Sequence, residues 1–185
     1  MKSTARKIVY DEILKIEAFH LKGVFQPFPN HFHEYYVIGL IERGKRKLFC
    51  RGREYLAAEG DILLFHPGDN HACTQEDEEE LDYRGLNISP NIMSVLVEEL
   101  TGRPELPGFS QNLIRDQETA CCLKNLHELL MVGKQDFGKE EKLLLLLELL
   151  LQKYRYSIQT DFFGRNPIVP RRDPEGLQIH GRKSG

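Results

Sequence analysis

The stretch from His31 to His71 constrains this chain more than any other. It begins His31-Phe32-His33-Glu34-Tyr35-Tyr36-Val37-Ile38-Gly39-Leu40 and ends Gly60-Asp61-Ile62-Leu63-Leu64-Phe65-His66-Pro67-Gly68-Asp69-Asn70-His71. Between the ends lie short β-forming runs broken by Arg43-Gly44-Lys45, Arg51-Gly52-Arg53 and Glu59-Gly60-Asp61, each carrying turn chemistry. Strands this short and this regularly interrupted predict antiparallel sheets that close on themselves, as in a small barrel or jelly roll. His31 and His33 are two apart, so on a strand both side chains point to one face. If that face is the barrel interior, His71, after the Pro67-Gly68-Asp69-Asn70 turn, can supply a third imidazole from a neighbouring strand.

Together with the later Tyr83-Arg84-Gly85-Leu86-Asn87-Ile88-Ser89, these two motifs resemble the signatures of the cupin superfamily and, within it, the effector-sensing domain of AraC-type transcription regulators. The resemblance runs from about residue 5 to residue 158, with specific motifs only between 31 and 88. It implies a mainly β fold with C-terminal α structure: a cupin-type double-stranded β-helix, or jelly-roll barrel, followed by a helical hairpin. Metal-binding cupins carry a Glu ligand a few residues beyond the second His, and here that place holds Tyr36, Val37 or Ile38. Glu34 does not replace it, because the immediate neighbour of His33 on a strand faces the other way. The favoured reading is therefore a set of pocket-lining histidines with no cofactor. A divalent metal on His31, His33 and His71 is the alternative, since zinc, iron and nickel all accept imidazole.

With 185 residues, 41% of them hydrophobic, there is material for one well-buried core and an appended helical part. A net charge of -3 gives no general attraction to nucleic acid or to an anionic membrane surface. No apolar run reaches the length of a transmembrane helix, and Met1 to Lys7 lacks the apolar stretch of a signal peptide, so a cytoplasmic protein without a membrane partner is expected. Cys50, Cys73, Cys121 and Cys122 show neither CxxC spacing nor a disulfide framework and are read as free thiols. Cys73 lies two residues beyond His71, on the same strand face, where its thiol can line the pocket.

Before the barrel motifs, Ile8-Val9-Tyr10 and Ala18 to Phe25 read as an N-terminal arm and a first strand. In sensors of this resemblance the arm can fold over a ligand, which makes Phe19, Val24 and Phe25 either lid or core, with core favoured. The strand Lys45 to Arg51 is basic, and a solvated face is its simplest account. Within it Arg46 is in phase with Leu48 and Cys50 and is expected to point inward. There a guanidinium could grip a carboxylate or sugar hydroxyls with paired donors. His66 reads as surface or site. The run Glu76 to Glu80 is too acidic to pack and reads as an exposed loop. Tyr83, Gly85 and Asn87 share one strand face, suited to hydroxyl recognition.

From Ser89 the period becomes helical. Asn91 to Leu100 reads as a short helix with Ile92, Val95, Leu96 and Glu99 in phase, ended by Gly102 and Pro104. One further strand is expected within 109–114. Asp116 N-caps a helix over Gln117 to Val132, in which His127 reads as surface. Lys139 to Tyr156 has leucines on nearly every side, so it is either buried all round or shares a side with a partner, and dimerisation through these helices is expected. The domain reading is residues 1–90 for the barrel and arm, 91–158 for the helical dimerisation region and 159–185 for a disordered tail. No helix-turn-helix unit is recognisable, so DNA contact is expected only through a domain absent from these residues.

The expected function is ligand sensing and dimerisation for an AraC-type regulator, without enzymatic activity. The effector, a sugar or another small polar metabolite, is expected inside the barrel against His31, His33, Tyr35, Arg46, His71, Cys73 and Tyr83. A stand-alone metal-dependent cupin enzyme, an isomerase or oxygenase built on the three histidines, is the rival.

Overall fold

The structure is a computed structural model and describes residues 5–133 and 138–156. Ten strands and three helices follow one another: β1 Ala5–Asp11, β2 Ile16–Val24, β3 Phe28–His31, β4 Tyr36–Arg43, β5 Arg46–Cys50, β6 Arg53–Ala57, β7 Ile62–Phe65, β8 His71–Gln75, β9 Leu81–Ile88, α1 Pro90–Thr101, β10 Leu113–Ile114, α2 Gln117–Val132 and α3 Gly138–Tyr154. They form a six-stranded sheet in the order β1-β2-β9-β4-β7-β10 and a four-stranded sheet in the order β3-β8-β5-β6. Every pairing is antiparallel. The pair is the cupin-type barrel, with α2 and α3 at its C-terminal side. Residues 5–11, read from sequence as part of an arm, form the edge strand of the larger sheet.

Side chains alternate across each strand, and in the central strands β4, β7 and β9 of the six-stranded sheet both faces are largely buried. On β4, Tyr36, Ile38 and Leu40 face one way and join the helices in a core that includes Leu86, Ile88, Met93, Val97, Leu123, Leu126, Leu146 and Leu150. Val37 and Ile41 face the other way, toward the four-stranded sheet, in a second core with Phe19, Val24, Leu48, Leu63 and Phe65. Two glycines meet across the strands on this inner face, where Gly39 pairs with Gly85. A Cβ on Gly39 would fall 2.0 Å from the Tyr83 hydroxyl, and one on Gly85 would fall 2.7 Å from Phe19. Only glycine leaves room there for the two rings to lie inside the barrel.

The helices are set by their caps. Ser89 caps α1, whose C-cap Gly102 takes the left-handed conformation at φ 74°; the Asp116 carboxylate accepts from the amides of Glu118 and Thr119 at the start of α2. Helix α1 buries Met93, Leu96 and Val97, one position round from the expected Ile92–Val95 face, and leaves Val95 exposed. Helix α3 buries Leu143, Leu146, Leu147 and Leu150, while Leu145 remains 47% exposed. It is therefore buried on one side and not all round.

Three polar expectations are corrected. His127, read as a surface residue, is 1% exposed, and its Nε2 donates to the carbonyl of Phe19 at 2.8 Å, joining α2 to β2. His66, read as surface or site, is buried and bonded to Asp69 and to the Phe109 amide. Glu80, at the end of the acidic run, is buried and accepts from Arg43 at 2.8 Å. The expected tail over 159–185 lies outside the described residues.

Candidate functional site

The space between the sheets is a cavity of about 390 Å³. Its walls are mostly apolar, from Phe19, Val37, Ile41, Leu48, Leu63 and Phe65. All seven residues singled out from sequence line it: His31, His33, Tyr35, Arg46, His71, Cys73 and Tyr83. Asn87, on the face shared with Tyr83, also reaches it, as do Glu17 and Arg6, which the sequence did not single out.

The polar groups divide between two ends. Strand β5 runs from Arg46 to Cys50 and is paired with β8, so that Arg46 lies opposite Gln75 and Cys50 opposite His71. Four residues of strand, about 13 Å, separate the two ends. At the first lie His31, His33 and His71 with Tyr35, Glu17 and Asn87, all half-buried except the buried His71. Asn87 there donates to the Glu17 carboxylate at 2.6 Å. At the second lie Arg46, Val24 and Leu81, and Tyr83 starts near there and carries its hydroxyl inward to Gly39. Cys73 sits between, opposite Leu48.

The histidine end is built by the Pro67-Gly68-Asp69-Asn70 turn. Asp69 Oδ2 accepts from the backbone amide and from Nδ1 of His66, both at 2.9 Å, and Oδ1 accepts from Arg51 Nε at 2.7 Å. His66 Nε2 accepts the Phe109 amide at 2.8 Å, which places the His66 proton on Nδ1. These donors outweigh the cost of burial and hold the Asp69 carboxyl down at about 2. The turn so fixed presents the Asp69 carbonyl to His71 Nδ1 at 2.9 Å, and the Gly68 amide donates to the His33 carbonyl at 2.8 Å. The His66–Asp69–Arg51 clasp was not legible as such in the sequence, where only the turn signal showed.

The strand geometry expected for the first two histidines is corrected. β3 ends at His31, and His33 lies in the following connection. The three rings nonetheless converge: centroids are 4.9 Å apart for His31 and His33, 4.3 Å for His31 and His71, and 5.1 Å for His33 and His71. Tyr35 stacks on His33, and Phe65 on His71 at 3.8 Å. Burial, then the neighbouring rings, pushes His33 down to about 4, and burial also lowers His71. His33 and His71 are thus held in their neutral, lone-pair-bearing form.

That form fits a metal. His31 Nδ1 donates to the Pro29 carbonyl at 2.6 Å and His71 Nδ1 to that of Asp69, so both Nε2 lone pairs are left for another partner. One ring nitrogen from each of the three lies within 4.8 Å of the others. No carboxylate joins them among the described residues, so a bound divalent ion would have three protein ligands and open positions, and could act as a Lewis acid or hold a ligand oxygen.

At the other end Arg46 is fully buried. Its Nη2 donates to the Val24 carbonyl at 2.7 Å and Nη1 to the Lys45 carbonyl at 2.8 Å, while Nε has no hydrogen-bond partner among the described residues. The Tyr83 hydroxyl is also buried without a hydrogen-bond partner among the described residues, and burial drives its pKa far up. Burial raises the Cys73 thiol to about 11, which removes it as a nucleophile at neutral pH.

A family model described as the AraC-like ligand binding domain matches residues 16–151. Over 154 residues the chain is 47% identical to a Bacillus subtilis (strain 168) protein described as an uncharacterized HTH-type transcriptional regulator, YbfI, the match covering 83% of this chain and 56% of that protein. The chain thus spans a little over half the length of that relative. Similar solved structures include an RmlC-like cupin family protein with a double-stranded β-helix fold from Methanocaldococcus jannaschii. It is 16% identical, covers 48% of this chain and 83% of its own, and gives a TM-score of 0.42. Another is KdgF from a Halomonas species, 20% identical, with 46% and 78% covered and a TM-score of 0.40.

Proposed function

The chain belongs to the AraC-like ligand binding domain family, the sensing part of an AraC-type transcription regulator, and on that premise we propose that a small-molecule effector occupies the barrel cavity. The observation that carries this reading is the cavity itself: about 390 Å³, apolar in its walls, with polar groups at two ends. A core selected only for stability would fill that volume. The domain works by differential affinity: the effector binds one arrangement of barrel and helices more tightly than the other and shifts the balance between them.

The same reading makes the domain a sensor and not a catalyst. It assigns homodimerisation to α3, where exposed Leu145 and half-buried Leu144 and Leu149 form an apolar strip, and it leaves DNA contact to a helix-turn-helix part of the whole protein, in keeping with the description of the Bacillus relative. The test is a thermal-shift screen of sugars, carboxylic acids and amines against the chain and against Val37→Trp, whose ring fills the cavity. Ligands that stabilise the unaltered chain by several degrees and lose that effect in Val37→Trp are expected. Stabilisation that persists in the variant places the binding elsewhere.

A second reading has its own observation, the pinned tautomers of His31 and His71. It makes the cluster a divalent-metal site, in a sensor or in a metallocupin enzyme. Plasma mass spectrometry of unchelated protein tests it: near-stoichiometric metal, lost when His31, His33 and His71 are replaced by Ala, supports it, and metal-free protein overturns it.

A further inference from the structure

We propose that the effector is a monocarboxylic acid with an apolar body, its carboxylate held inside the cavity by Arg46, with the Tyr83 hydroxyl as a further donor. This deepens the preceding reading and rests on it. Among the described residues three arginines leave a buried Nε without a hydrogen-bond partner: Arg43, Arg46 and Arg84. Arg43 and Arg84 pair with carboxylates through their other nitrogens, at 2.8 Å to Glu80 and 2.6 Å to Glu42. Arg46 differs in two respects. It is fully buried, and no carboxylate among the described residues pairs with it; its hydrogen bonds go to backbone carbonyls of Val24, Lys45 and, at 3.5 Å, Glu79. A guanidinium kept out of water without a counter-charge is costly unless something anionic completes it.

The surroundings define what completes it. The carbonyl bonds hold the guanidinium in place and leave Nε and one hydrogen of Nη2 without an acceptor among the described residues. A second unmatched polar atom lines the same cavity, the buried hydroxyl of Tyr83, for which Gly39 makes room. Both line the one cavity, so a carboxylate bound there has an unmatched donor in each. Beyond them the walls are Phe19, Val37, Leu48, Leu63 and Phe65, with no paired hydroxyl-binding groups until the histidine end about 13 Å away. A sugar would leave most of its hydroxyls against carbon there, at a cost for each. A phenylalkanoic or branched aliphatic acid matches one charged end and an apolar remainder.

The experiment is isothermal titration of the 185-residue chain with phenylacetate, 3-phenylpropionate, 4-methylpentanoate and octanoate, each beside its uncharged primary amide, with neutral monosaccharides as a third set. At least one acid is expected to bind about tenfold or more tightly than its amide. Tyr83→Phe, which removes only the hydroxyl, is expected to weaken that acid by about three- to tenfold, and Arg46→Met to erase the preference for acid over amide. If Arg46→Met does not fold, the acid–amide ratio on the unaltered chain and the Tyr83→Phe result still decide. Equal binding of acids and amides, or binding of monosaccharides alone, overturns the carboxylate while leaving a cavity sensor in place, provided that Val37→Trp abolishes it. Absence of binding by every acid also overturns it; if the wider thermal-shift screen then finds no class that Val37→Trp blocks, the sensor reading fails separately.

Discussion

The two faces of the six-stranded sheet come from the same strands and are built to opposite standards. The outer face, Tyr36, Ile38, Leu40, Leu86 and Ile88, meets the leucines of α2 and α3 with side chains filling the space between. The inner face carries Gly39 and Gly85, leaves about 390 Å³ open and exposes two buried donors that nothing satisfies. Since strand register ties the faces together, the difference is not one of fold. The outer side is filled by the helices, while the inner side packs a smaller core around an open cavity, the space in which the proposed effector would sit.

The contrast can be broken most forcefully from the outside. Leu146→Ala, in the fully buried interior of α3, is expected to cost about 3 kcal/mol in urea unfolding, because it opens a cavity where there was none. Leu63→Ala on the inner face only enlarges an existing space and is expected to cost about 1–2 kcal/mol. Equal losses would mean that the inner face is as tightly packed as the outer.

Gly39→Ala comes next, at about 2 kcal/mol, since the added methyl collides with Tyr83 and must displace its ring. Adding Tyr83→Ala should recover part of that loss, with a coupling of about 1 kcal/mol in a double-mutant cycle. An additive pair would deny that the glycine exists to seat this ring.

His127 sharpens the comparison through pH, being the buried titratable group that joins the outer helices to β2. Burial, with Arg84 and His20 nearby, lowers it to about 4, although its bond to the Phe19 carbonyl opposes the shift. Between about pH 6.5 and 4 the unfolded chain then binds a proton that the folded chain refuses, so stability falls as pH falls through that window. The expected contribution is on the order of 2 kcal/mol, and a flatter profile for His127→Gln over that range is the check.

The smallest effect belongs to Tyr83→Phe without ligand. Removing an unpartnered hydroxyl is expected to leave stability unchanged or raise it by up to about 1 kcal/mol. A clear loss of stability would reveal a partner for that hydroxyl in the free protein.

How far the sequence reached follows the same division. The succession of short strands, the inward phase of Arg46, the helix from Gln117 and its Asp116 cap were all legible, because period, turn residues and capping chemistry are local. The convergence of the three histidines was legible for the wrong reason: His33 reaches the cluster from a connection tied to the Gly68 amide and not from a strand. His127 was misread because a polar residue on a helix carries no local mark of a carbonyl on β2 waiting for it. The Gly39–Gly85 pair and the unmatched donors were out of reach, since both depend on cross-strand register and on what is missing opposite a side chain.

The central claim is that the inner face, and not the outer, receives the effector. Methyl-resolved NMR of the chain titrated with 3-phenylpropionate tests it most directly, with Val37, Leu48 and Leu63 reporting on the cavity and Ile38, Leu126 and Leu146 on the helical side. Saturable shifts concentrated on the first three, with the second three nearly still, are the predicted result. Shifts centred on the helical methyls, or none on either face, would contradict the account.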